Sequence, residues 1–169
     1  TKRNEVILVR EKSPAKALVP KSINDGKGWK ELDFDDSSWK QGKTGIGYDY
    51  GNRVGLDVST MRNSTESVYI RVPFNVANIS EFEEVILRLK YEDGFTAFIN
   101  GKKISSDNAP RTLNWKSGAP QNRPDSIATT PVEFSISGFS NLLLEGENIL
   151  AIQGLNNQVT SSDLLIHPE

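Results

Sequence analysis

The stretch YEDGFTAFINGKK, residues 91 to 103, sets Glu92 and Asp93 side by side between two strand-like runs. Paired carboxylates next to a glycine can do two kinds of chemistry. They can accept hydrogen bonds from hydroxyl-rich ligands, or they can ligate a hard cation, since calcium gathers roughly six to eight oxygens from carboxylates, amides and backbone carbonyls. The plain alternative is a tight turn in which Asp93 accepts backbone hydrogen bonds and Gly94 takes a positive φ. Asp57, Asn108, Asp125, Asn156 and Asp163 lie in or beside polar loops and supply the same oxygen chemistry.

Sugars are held by hydroxyl contacts together with stacking on flat rings. Trp115, in the polar run NAPRTLNWKSGAPQNRPDS (108 to 126), is the leading aromatic for such a contact, and Tyr50 in GYDYGNR is the next. Arg53, Arg111 and Arg123 stand nearby in sequence. The carbohydrate-binding set read from these loops is Trp115, Tyr50, Asp93, Asn108, Arg111 and Asp125. For Trp115 a second reading stands beside this one, in which the ring folds back as a lid on the protein.

Catalytic patterns are sparse. The chain has no cysteine, which removes thiolate chemistry, disulfides and cysteine-based zinc sites. Its one histidine, His167, lies near the end of the chain without an evident partner. There is no glycine-rich phosphate loop and no nucleophile-elbow pattern. Asp93 with Asp125 or Asp163 is the one carboxylate pair to consider for glycoside hydrolysis, and the expectation is a protein that is not an enzyme. The acidic run DFDDSSW (33 to 39) lacks the glycine and glutamate spacing of a helical calcium loop. It reads as a turn, with Phe34 and Trp39 as anchors.

Charged residues make up 25 % of the 169, the formal net charge is -2, and lysines and arginines are scattered. No basic footprint for nucleic acid or an anionic membrane stands out. No apolar run approaches the roughly 18 residues of a membrane span. The sequence opens Thr1-Lys2-Arg3 with no signal-like run, which reads as one module, residues 1 to 169, cut from a longer protein and expected to be a monomer.

The elements that must position these residues are strands. EVILVR (5 to 10), KALVP (16 to 20), SVYIRVPFNV (67 to 76), EEVILRLKYE (83 to 92), FTAFI (95 to 99), KKISS (102 to 106), VEFSIS (132 to 137), ENILAIQGL (147 to 155) and DLLIH (163 to 167) have strand length and composition. Only 138 to 144 reads as a short helix, with Ser137 as its cap and Gly146 as its stop. This predicts an all-β chain, a β-sandwich of the jelly-roll kind. If successive strands run antiparallel, the connections alternate between the two ends. Segments 48 to 66, 107 to 131 and 156 to 162 then converge on the Asp93 end, while the Asn100-Gly101 hairpin and the 138 to 146 connection fall at the other. Binding residues concentrate on loops held by a rigid scaffold, so the Asp93 end is the expected site.

WKELDFDDSSWKQGKTGIGYDY (29 to 50), LRLKYEDGFTAFINGKKI (87 to 104), PVEFSISGF (131 to 139) and GENILAIQGLNNQVTSSDLLIHPE (146 to 169) resemble, in this order, a galactose-binding-like jelly-roll module of large secreted bacterial proteins. The middle is also similar to the jelly-roll domain of β-galactosidases and β-glucuronidases, whose catalysis resides in a separate barrel. YEDGFTAFINGKK further resembles protective-antigen-type sugar-binding modules, in which an acidic pair holds a calcium that contacts sugar hydroxyls. Here the pair is Glu92-Asp93, with Glu in place of the first Asp. The resemblance implies an extracellular or cell-surface accessory module binding polysaccharide or glycan. It also implies no essential cofactor and a structural calcium on Asp93, Glu92, Asn156 and Asp163. A second class of function, a spacer or docking module that contacts neighbouring domains of the same polypeptide, fits the same residues.

Overall fold

The computed structural model describes residues 4–169. Strands β1 (Pro14–Leu18), β2 (Lys40–Lys43), β3 (Ile46–Tyr48), β4 (Leu56–Asp57), β5 (Ser67–Val76), β6 (Ile86–Tyr91), β7 (Gly94–Ile99), β8 (Lys102–Asp107), β9 (Val132–Ser135), β10 (Gly146–Leu155) and β11 (Leu164–Pro168) form two sheets. One sheet runs β2-β1-β5-β10-β7-β8 and the other β4-β3-β11-β6-β9. All pairings are antiparallel except β3 with β4. The chain is a jelly-roll-like β-sandwich.

Period-two alternation builds the core between the sheets. On β5, Val68, Ile70 and Val72 face inward against Leu89 and Tyr91 of β6, Ile152 of β10 and Ile166 of β11. The outward residues of β5, Tyr69 and Arg71, are buried too, because the 19 to 39 excursion folds over that face. Trp29 stacks on Tyr69 with ring centroids 4.4 Å apart, and Phe34 meets Trp39 edge-on at 5.5 Å. Arg71 locks the excursion down. Its Nε donates to Asp36 Oδ2 at 2.8 Å, and its terminal nitrogens donate to the carbonyls of Trp29, Glu31, Leu32 and Phe34. The DFDDSSW run is therefore an anchored turn, with Asp35 Oδ1 accepting from Ser37 N and Asp36 paired to Lys16 and Arg71.

Three expectations are corrected. EVILVR is not a strand: residues 5 to 10 pair with neither sheet. The helix at 138 to 144 is only a 3-10 turn over Phe139–Asn141, entered through Gly138 at φ 67, a left-handed conformation that interrupts a helix rather than starting one. Among the described residues the one α-helix, α1 (Asp125–Ala128), sits instead within the 107 to 131 connection. The short strands β2, β3 and β4 are additional, and they lie in a glycine-rich stretch where alternation is too brief to read.

Asn100-Gly101 forms the expected hairpin turn, both residues at positive φ (48 and 87), joining β7 to β8. The Glu92-Asp93 break is different in kind. β6 belongs to one sheet and β7 to the other, so these two residues carry the chain across the end of the sandwich. Arg71→Met keeps the apolar bulk and strands the carbonyls around it. It should lower stability by about 3 kcal/mol, because an interior polar network loses its charged partner; urea unfolding measures the loss.

Candidate functional site

Asp93 is fully buried, and its carboxylate ties two connections to the crossover. Arg123 N donates to Oδ1 at 2.7 Å and Asn157 N donates to Oδ2 at 2.8 Å. Its backbone carbonyl accepts from Asn108 Nδ2 at 2.9 Å, and Asn108 in turn exchanges hydrogen bonds with the backbone of Gln121. Gly94 does not take a positive φ. It is glycine because the carbonyl of Asn108 passes where a Cβ would stand, at 2.1 Å. The turn expectation is thus half right: Asp93 does accept backbone donors, but it does so to hold distant loops.

Glu92 points the other way. It is 2 % exposed, accepts a hydrogen bond from the Tyr50 hydroxyl, and comes together with Asp125 and Asp163, one oxygen of each lying within 4.8 Å of the others. These three line a cavity of about 420 Å³, walled further by Asn122, Asn157, Gln158, Thr160, Ser161 and Ser162. Tyr50 reaches Glu92 because Asp49 and Gly51, both at positive φ, turn the chain on either side of it. Ser161 and Ser162 hydroxyls donate to Asp163 Oδ1 at 3.4 Å each.

Burial and mutual repulsion control the protonation here. Loss of solvent pushes Glu92 up to about 8, with the neighbouring Asp163, Asp125 and Asp93 charges adding to the rise and the Tyr50 hydrogen bond opposing it. Burial and the charge of Asp125 raise Asp163. Burial raises Asp93 as well, against the two backbone N–H groups that favour its charged form. Burial and the Glu92 hydrogen bond hold the Tyr50 hydroxyl above its ordinary value. Near neutrality Glu92 therefore holds a proton for much of the time, and a bound cation would displace it.

The loop ends converge as the connection count requires, but the named residues divide among several places. Glu92, Asp125 and Asp163 share the cavity, with Tyr50 bonded to Glu92. Asp93 lies beneath it, engaged by backbone, so it cannot serve as one of a pair of hydrolytic carboxylates. Asn156 is buried below the cavity wall; its Nδ2 donates to the Tyr48 hydroxyl, which donates to Ser161 O, and its Oδ1 has no hydrogen-bond partner among the described residues. Asn108 is structural in its contacts. Arg111 is exposed and outside the cavity lining, and Arg123 lays its guanidinium on the Tyr91 ring at 3.9 Å. Trp115 is half-buried against the aromatic cluster of Trp29, Trp39, Tyr69 and Phe98, on the outer face of the larger sheet rather than in the cavity. Asp57 caps its own turn through Ser59. The amides and hydroxyls of 157 to 162 were visible in sequence only as a polar connection.

No protein-family model and no curated protein matches this sequence. Solved structures do resemble it. A beta-glucuronidase of an uncultured Clostridium sp. is 17% identical with a TM-score of 0.52, the match covering 87% of this chain and 22% of that one. A calcium-binding mutant of Bacteroides uniformis beta-glucuronidase 2 is 15% identical, TM-score 0.52, covering 92% and 17%. A glycosyl hydrolase family 2 member from Bacteroides cellulosilyticus is 11% identical, TM-score 0.51, covering 93% and 20%. The chain spans about a fifth of the length of these enzymes. It has the fold of a β-sandwich domain found within them.

Since Glu92 holds its proton more tightly folded than unfolded, the stability it contributes is complete below about pH 4.5 and is lost as pH rises through about 8. Glu92→Gln removes that dependence. Urea unfolding across pH 5 to 9 should show the variant gaining on the parent protein as pH rises.

Proposed function

We propose that this chain is a non-catalytic carbohydrate-binding accessory module of a secreted or cell-surface protein, gripping glycan hydroxyls in the Glu92 cavity. The observation that supports it is the wall of that cavity: amides, hydroxyls and carboxylates from three connections, two of them tied to one buried aspartate. Such groups match the alternating donors and acceptors of a sugar, and a space of about 420 Å³ suits a single ring. The low-identity neighbours support the fold alone. The site is centred on Glu92, Asp125, Asp163 and the 157 to 162 segment, with Tyr50 as the aromatic at its edge. Trp115 packs against the aromatic cluster outside the cavity lining and is left out of it.

Calcium is the ion this reading admits. Glu92, Asp125 and Asp163 would supply its carboxylates, and the ion would order the loops and meet sugar hydroxyls directly. Because Glu92 must give up its proton first, binding should tighten with pH.

A thermal-unfolding scan across soluble polysaccharides, with calcium and with chelator, tests the proposal. One glycan class should raise the midpoint, by about 2.7 kcal/mol of stabilisation at a hundredfold excess over Kd. The shift should vanish in Asp163→Asn and persist in Trp115→Phe. The calcium shift should be larger at about pH 8.5 than at about pH 6. A flat panel with both additives would remove the glycan reading and favour a spacer role.

A further inference from the structure

The opposite end of the sandwich is open. Between the sheets lies a cavity of about 1250 Å³ whose apolar lining includes the partly exposed Phe74, Phe82, Val85, Ile86 and Ile104, with the buried Leu87, Ile99 and Leu143 beneath them. Residues 4 to 11 lie along its mouth. Val9 is buried and Leu8 packs against the core, whereas Val6 is 63% and Ile7 51% exposed. Among the described residues, the backbone of 5 to 8 makes no hydrogen bond, although its composition is that of a strand. The lining carries six glutamates (Glu5, Glu11, Glu81, Glu83, Glu84 and Glu169), of which Glu169 faces Lys90 and Glu84 has contacts of its own, and two arginines, Arg10 and Arg88. Arg88 is already bonded to Glu133.

We propose that this cleft docks an extended segment of a partner protein, which pairs as a strand with residues 5 to 8. Its alternate apolar side chains enter the floor and its Lys or Arg side chains face the glutamate rim. Three separate features fit that occupant. The unpaired N–H and C=O groups offer a strand template. The apolar floor lies beside exposed Val6 and Ile7, where a partner's alternate residues would fall. The acidic rim selects basic flanks. A second copy of this chain is a poor occupant, because it would bring one acidic rim against another, and an anionic lipid surface is repelled for the same reason. The proposal does not depend on the glycan site, which is at the other end.

A displayed library of random peptides, selected on the whole chain, tests it. Enriched peptides should alternate apolar residues with Lys or Arg. In fluorescence anisotropy, a synthetic copy of an enriched peptide should bind roughly tenfold or more weakly to the double variant Glu81→Lys, Glu83→Lys and in high salt. Ile7→Lys should weaken it similarly. All three positions are exposed, and an unchanged melting midpoint verifies that the variants fold. No enrichment over bare support, enriched peptides without basic residues, or binding indifferent to the rim reversal would overturn the proposal. So would a dimer in sedimentation that the rim reversal abolishes, which would give the cleft to a second copy.

Discussion

A buried carboxylate between two sheets governs the loop end of this protein. Asp93 sits where the chain crosses from β6 to β7, so its position is fixed by both sheets at once. Removing a carboxylate from water is costly unless its oxygens are met by donors. Here the donors are backbone N–H groups of Arg123 and Asn157, which belong to two connections that also meet directly where Ala119 N donates to Asn156 O at 2.8 Å. Charge-assisted hydrogen bonds of this kind are shorter and stronger than neutral ones. The same contacts that satisfy Asp93 thus place Asn122 and Asp125 on one side, and Asn157 to Asp163 on the other, around Glu92.

The adjacent pair divides its labour by direction. At the bend between β6 and β7 the two side chains diverge, Asp93 into the packed interior and Glu92 into the cavity. One acid builds and the other is available to a ligand. Glu92 is shut away from solvent and stands among like charges that the Tyr50 hydrogen bond only partly offsets, which is why it binds its proton so tightly.

Much of this was legible before the structure. The strands from 67 onward are long enough for alternation to show, and antiparallel succession alone carries the loops at 48 to 66, 107 to 131 and 156 to 162 to the Asp93 end. What was not legible follows from tertiary context. EVILVR has strand composition, yet it pairs with no strand of either sheet. The 138 to 144 run is apolar enough for a helix, yet Gly138 in the left-handed region and the pull of Leu142 and Leu143 toward the core leave a single turn. Trp115 looks like an exposed ring in a polar loop. The aromatic cluster it packs against is built in part by Trp29 and Trp39, from an excursion held down by Arg71, a contact that no local pattern announces. The sense of Gly94 was hidden likewise, since its neighbour Asn108 arrives from the end of β8.

The central claim is that Asp93 couples two loops to one crossover. Native-state hydrogen exchange, read amide by amide by NMR, tests it most directly. The amides of Arg123 and Asn157 should be protected in the parent protein and should lose that protection together in Asp93→Asn, while amides of β5 and β10 keep theirs. If those two amides exchange freely in the parent protein, or if the substitution leaves both protected, the loops are held by something other than Asp93 and the account fails.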